Sequence, residues 1–184
     1  MHPTETSPIV DGRHYHVEET LRDGTPITIR AARHDDRERI VRAFRLLERE
    51  SIYTRFFTYK ETLTPAELAQ LDKLDFVRDV MLLATQRTGG DETVIGGASY
   101  VALDARRAEV AFTVEEDFRG RGLASRLLSH LIAIARQCGI DRFEADVLPG
   151  NGPMLAVFSR SGLAIHRRLE GGVVHVELVI GEQA

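Results

Sequence analysis

From Glu109 to Leu128 the chain reads EVAFTVEEDFRGRGLASRLL: a strand, a short charged connection, the run Arg119-Gly120-Arg121-Gly122, and the start of a long helix. No other stretch constrains the fold as much. At a helix start the first four amide N–H groups lack partners within the helix, and the summed peptide dipoles add about half a positive charge there. Glycines at 120 and 122 allow positive φ and remove Cβ atoms that would hold a diphosphate off the backbone, while Arg119 and Arg121 can neutralise it from the side. The pattern suits phosphate binding; the plainer reading is a helix preceded by a basic turn. A dinucleotide fingerprint starting at Gly120 would need glycine where Ser125 stands. A P-loop would need the absent G-K-[ST].

The rest of the chain frames this segment. After it, Leu123, Leu127, Leu131, Ile134 and Ala135 recur on one helical face and Gly139 stops the helix. Before it, Tyr15–Leu21 and Pro26–Ile29 alternate around Arg22–Thr25 as a hairpin, and the stretch from Asp35 lines Ile40, Val41, Phe44 and Leu47 along one helix face. Ser51–Thr62 is aromatic and poorly periodic, so no element is predicted there; Thr64-Pro65-Ala66-Glu67 then starts a short helix. Val80–Thr85, Thr93–Ala102 and Arg107–Val114 read as three antiparallel strands. Phe143–Leu148 is a strand, Gly152–Ser161 a helix closed by Gly162, and Leu163–Arg168 with Val173–Ile180 a final hairpin. The expected order is ββ, αα, βββ, α, β, α, ββ.

At 184 residues, 43% hydrophobic and 28% charged, the chain suits one domain over residues 13–184 behind a flexible arm at 1–12. That length buries about 70% of the unfolded surface, so neither a disulfide nor a structural metal is needed. The single cysteine, Cys138, cannot bridge internally, and no oxidising compartment is implied. A formal charge of -4 argues against a nucleic-acid partner. No apolar run approaches a membrane span and Met1–Gly12 has no signal-peptide core, so the expected location is the cytoplasm and no membrane partner is expected.

Arg119-Gly120-Arg121-Gly122-Leu123-Ala124 resembles the R/Q-x-x-G-x-G/A signature of the GNAT superfamily of N-acetyltransferases, with strand before and helix after. Asn151–Leu163, NGPMLAVFSRSGL, resembles that family's next helix, and the likeness runs from Ile27 to Ile180. Ser51–Phe57 and Leu63–Asp75 are similar to the acetyltransferase domain of bacterial protein-lysine acetyltransferases of the Pat type. The resemblance implies an α+β fold: a mostly antiparallel sheet with one splayed parallel pair, flanked by helices. It implies acetyl-CoA as co-substrate, lying in the splay. Phe112, Thr113 and Val114 would pair with the pantetheine; Arg119, Gly120, Arg121, Gly122, Leu123, Ala124 and Ser125 would receive the pyrophosphate; and Asn151 would reach the pantetheine from the second strand. Asn151 is also a good helix cap.

A lysine ammonium titrates near 10.4, so at pH 7 only about one in 10³ to 10⁴ carries the lone pair that attacks a thioester. On the strand Arg107–Val114, Val110, Phe112 and Val114 face one side and Glu109, Ala111 and Thr113 the other. The resemblance places the general base at Glu109, in the context Ala108-Glu109-Val110; the plainer reading is an exposed glutamate paired with an arginine. Glu115 and Glu116 are expected to be solvated. Where many GNAT enzymes carry a tyrosine able to protonate the thiolate, this chain has Phe158. No metal site is expected from the seven histidines, with His166 and His175 read as neighbours on the last hairpin. Arg136, Arg142 and Arg160 are read either as contacts to the CoA 3′-phosphate or as a solvated face. The acceptor is expected to be a protein lysine, with a small-molecule amine or a non-catalytic acyl-CoA-binding regulatory role as the alternatives. A homodimer is left open.

Overall fold

A computed structural model describes residues 11–181. Its centre is an eight-stranded sheet in the order β1-β2-β3-β4-β5-β6-β8-β7. The strands are β1 (His16–Thr20), β2 (Pro26–Ala31), β3 (Asp79–Thr88), β4 (Asp91–Ala102), β5 (Arg107–Val114), β6 (Arg142–Val147), β7 (Ala164–Glu170) and β8 (Val173–Val179). Every neighbouring pair is antiparallel except β5 and β6. The helices are α1 (Arg37–Leu46), α2 (Arg49–Phe56), α3 (Pro65–Leu68), α4 (Leu123–Gln137) and α5 (Gly152–Ser159). The arm expected over residues 1–12 lies outside the described residues except for Asp11 and Gly12. Asp11 accepts from the Arg13 N–H at 3.0 Å and opens a short 3-10 turn.

α4 forms because its apolar residues fall on one stripe, and that stripe is the core. Leu123, Leu127, Leu128, Leu131, Ile134 and Ala135 are all buried, with Leu127 and Leu131 fully so. Gly139 at φ +82 ends it in a Schellman turn: the Ile140 N–H reaches Ala135 O at 3.0 Å and the Gly139 N–H reaches Arg136 O at 3.2 Å. α3 starts as predicted. Thr64 Oγ1 accepts from the Glu67 N–H and Glu67 accepts from the Thr64 N–H, with Pro65 in the first turn.

The sequence reading missed α2, and the reason is a cap supplied from far away. The Glu48 N–H and the Ser51 hydroxyl both donate to the Glu116 carboxylate, which the chain brings back after β5. Nothing local replaces it, because the Glu48 side chain does not cap its own helix. Glu116 is therefore engaged rather than solvated. Burial pushes its pKa up, but the bonds from Ser51 and the Glu48 amide outweigh this and hold it below the usual carboxylate range.

β5 and β6 part almost at once. Their register covers only Arg107↔Arg142, Ala108↔Phe143 and Glu109↔Glu144, after which β5 stays on β4 as far as Val114 and β6 stays on β8 as far as Val147. Gly96 on β4, opposite Val114, keeps β5 close: a Cβ there would stand 2.9 Å from Thr113 O.

Candidate active site

Strand backbone groups alternate in direction. The Glu115 N–H bonds to Ile95 O of β4, and Arg107 O accepts from Leu103, so the odd-numbered groups of β5 turn toward β4. The main chains of Phe112 and Val114 therefore face the gap that opens beyond Glu109, while that of Thr113, expected to pair with the pantetheine, turns to β4 opposite Gly97. The side chains split as expected: Ala108 and Val110 are buried on the α4 face, while Ala111 and Thr113 line a cavity on the opposite face.

β5 leads through a 3-10 turn at Glu116–Phe118 to the glycine loop. Gly120 and Gly122 adopt φ +73 and +87, and nothing lies within 4 Å of where a Cβ on Gly120 would stand. The first bond within α4 runs from the Arg126 N–H to Gly122 O at 3.2 Å, which leaves the amides of Leu123, Ala124 and Ser125 without intrahelical partners. The open space, the left-handed glycines and these amides fit a diphosphate. Asn151 stands across the gap beyond the end of β6. Its side chain accepts from the Met154 N–H at 3.3 Å, so it caps α5.

The loop arginines do not point freely at this space. Arg119 donates to Ser51 Oγ at 2.6 Å, and Arg121 pairs with Asp23 at 2.9 Å while lying over the Phe118 ring. The cation that sits on the loop is Arg22. Its Nε is 3.1 Å from the Cβ position of Gly122, and its own N–H reaches Arg121 O at 3.4 Å. Sequence reasoning missed it because it lies in the β1–β2 turn, about a hundred residues from the motif it covers. Arg136 donates to Ile180 O and Arg142 pairs with Glu177, so these two brace the β6–β8 end of the fold.

Glu109 is exposed, opposite Val101 on β4 and Glu144 on β6, and among the described residues it has no hydrogen-bond or ion-pair partner. The neighbouring arginine, Arg107, pairs instead with Asp104 and Glu144. Glu109 stands just past Ala111, one of the residues lining a cavity of about 290 Å³ between β3–β5 and the α1–α3 segment. Apolar side chains of Phe44, Leu63, Leu71 and Leu83 dominate that cavity, and Arg55, Glu67, Asp79 and Glu115 are its charged lining. Glu115, expected to be solvated, therefore belongs to the cavity wall. Phe158 is 1% exposed and meets the Phe112 ring edge-on at 5.9 Å, which leaves no proton donor at that position.

The histidines are dispersed. His166 stands opposite Glu177 rather than beside His175, which pairs with Asp146. Among the described residues no three metal-ligating side chains come together, and no helix is long and apolar enough to cross a membrane.

A parallel pair that parts after three residues, with a glycine loop and a helix N-terminus at its mouth, defines the acyl-CoA N-acyltransferase type of fold. The chain belongs to the GNAT family of acetyltransferases: the sequence profile of the Acetyltransferase (GNAT) family matches residues 46–163, well over half of the chain. The crystal structure of the GNAT domain of S. lividans PAT superposes with a TM-score of 0.79 at 37% identity, covering 88% of this chain and 95% of that one. Acetyltransferase Pat of Mycolicibacterium smegmatis is 37% identical over 131 residues, 70% of this chain but only 38% of that protein. An acetyltransferase of Pseudomonas aeruginosa is 32% identical over 131 residues, 71% of this chain and 69% of its own length.

Proposed function

We propose that this protein, acting through a single domain over residues 13–184, moves the acetyl group of acetyl-CoA to a primary amine by direct attack in a ternary complex. The acceptor in this reading is a protein lysine and the setting the cytoplasm. The observation that carries it is the gap between β5 and β6, with the main chain of Phe112 and Val114, beyond the last paired residues, on one wall and the glycine loop at its mouth. An extended pantetheine fits there as an added strand, which points its thioester toward the Glu109 side of the sheet. The likeness of Ser51–Phe57 to the Pat-type protein-lysine acetyltransferases supports a protein acceptor.

Glu109 takes a proton from the incoming ammonium, directly or through one water. The freed lone pair attacks the thioester carbon, the C–N bond forms, the C–S bond breaks, the nitrogen gives up its surplus proton to solvent, and the thiolate takes one from solvent. A gap-facing N–H of β5 receives the developing oxyanion, a contribution of about 3 kcal/mol in comparable sites. The buried Phe158 favours a second reading, an acyl-CoA-binding regulatory module without turnover. Thiol release in the presence of acetyl-CoA and lysine peptides decides between them. In the first reading Glu109→Gln cuts kcat roughly 10²- to 10⁴-fold without changing CoA affinity, and Glu115→Gln does much less. Equal rates for wild type and Glu109→Gln would remove Glu109 as the base. Tight CoA binding with no turnover across proteins, peptides and small amines would establish the regulatory role.

A further inference from the structure

Arg55 is the charge in the cavity that the fold leaves unanswered. It lies in the last turn of α2, half-buried, and its guanidinium lines the cavity. Among the described residues it has no hydrogen bond and no carboxylate within 4.0 Å; the ring of Phe56, 4.8 Å away, is its described contact. The nearest acids are committed or set apart. Glu67 is held by Lys60 and by the Thr64 amide, and Glu109 is within electrostatic reach but not in contact. Burial pushes the guanidinium pKa down, and the charges of Glu109 and Glu67 only partly oppose this. A cation withdrawn from water without a partner is costly, and folded chains normally supply one.

We propose that Arg55 holds a carboxylate carried by the acceptor, so that the preferred acceptor is an amine with a carboxylate close to it. This rests on the acetyl-transfer reading above and narrows its substrate. An ammonium that approaches Glu109 through the cavity meets this guanidinium, which lies within electrostatic reach of the Glu109 carboxylate. An acceptor carrying only positive charge is repelled there, whereas one that brings a carboxylate answers Arg55 and Glu109 together. The apolar wall of Phe44, Leu63 and Leu71 takes the methylenes between the two charges. The carboxylate has two sources: an aspartate or glutamate beside the target lysine in a peptide, or the α-carboxylate of a free amino acid.

The test is a matched set of acceptors in the thiol-release assay: a lysine peptide flanked by glutamate against the same peptide flanked by glutamine, and a free amino acid against its carboxamide. With wild type, the carboxylate member of at least one pair should have the higher kcat/KM, roughly ten- to a hundred-fold. The pair that shows it names the source. Arg55→Met should bring that ratio to near one while leaving CoA affinity and the melting temperature close to wild type, and Arg55→Lys should restore part of it. Calorimetric titration of the same pairs into the CoA-bound protein reads the preference without turnover. If no acceptor is acetylated, the transfer reading fails, and the binding ratios still decide the role of Arg55. Equal rates and equal affinities within every wild-type pair, or a ratio that survives in Arg55→Met, would overturn the proposal.

Discussion

The cavity between β3–β5 and the α1–α3 segment depends on how firmly α1 is held over the sheet, and one buried charge cluster does much of that holding. Asp36, fully buried just before α1, accepts from Arg30 Nη1 at 2.8 Å, Arg30 Nη2 at 2.7 Å, the Arg33 N–H at 2.8 Å and Arg39 Nη1 at 3.2 Å. Arg30, on β2 and 4% exposed, also donates to Glu92 of β4 at 2.7 Å. Asp36→Asn removes the charge and turns an amide donor toward donors. Breaking a buried pair from one side costs about 3–5 kcal/mol, and because Glu92 still answers Arg30 the expected loss is about 3 kcal/mol. For a chain of this size that is a fall in Tm of about 6–12 °C.

The same cluster sets an acid limit. Burial raises the Asp36 pKa, but the bonds from Arg30 and the Arg33 amide outweigh it and leave the carboxyl below its ordinary value. Glu92 is lowered first by its bond from Arg30. Carboxyls depressed in the folded state contribute stability above their unfolded pKa, near 4, and lose it as pH falls through the folded value. Thermal melts and urea titrations of wild type and Asp36→Asn should therefore differ most near pH 7 and begin to converge only below about pH 4. A loss under about 1 kcal/mol at pH 7, or a gap of the same size at pH 3, would refute the reasoning.

Two further measurements follow from the fold. Arg22→Ala should weaken CoA binding by roughly tenfold, the value of one charge-assisted contact, with the melting temperature unchanged; calorimetry that finds the same affinity would remove Arg22 from the diphosphate site. Leu131→Ala, at a fully buried position on the core face of α4, should cost about 2–5 kcal/mol, and a urea midpoint that does not move would contradict the packing described for that helix.

Elements whose cause is local could be read from the sequence. α4 announced itself by its stripe and closing glycine, α3 by Thr64 and Glu67, and the strands by their alternation. The glycine loop was legible because Gly120 and Gly122 need no neighbour to explain them. What could not be read depends on residues distant in the chain. α2 takes its cap from Glu116, Arg22 reaches the loop from another turn, and Arg119 and Arg121 are drawn off by Ser51 and Asp23. Glu115 was expected to be in solvent because it lies next to the loop, yet the strand before it carries it to the cavity wall. Asn151 caps α5 through its side-chain oxygen, one of the two readings its motif allowed.

The narrow seam between β5 and β6 leaves five strands on one side and three on the other, stitched by a few backbone bonds at one end. A ligand lying along that opening repairs the architecture as well as occupying it, since it supplies the missing ninth member. Such a guest adds RT ln(1 + [L]/Kd) to the unfolding free energy, about 2.7 kcal/mol at a hundred times Kd. A cell's supply of thioester would then govern how long the folded protein survives as well as how fast it works.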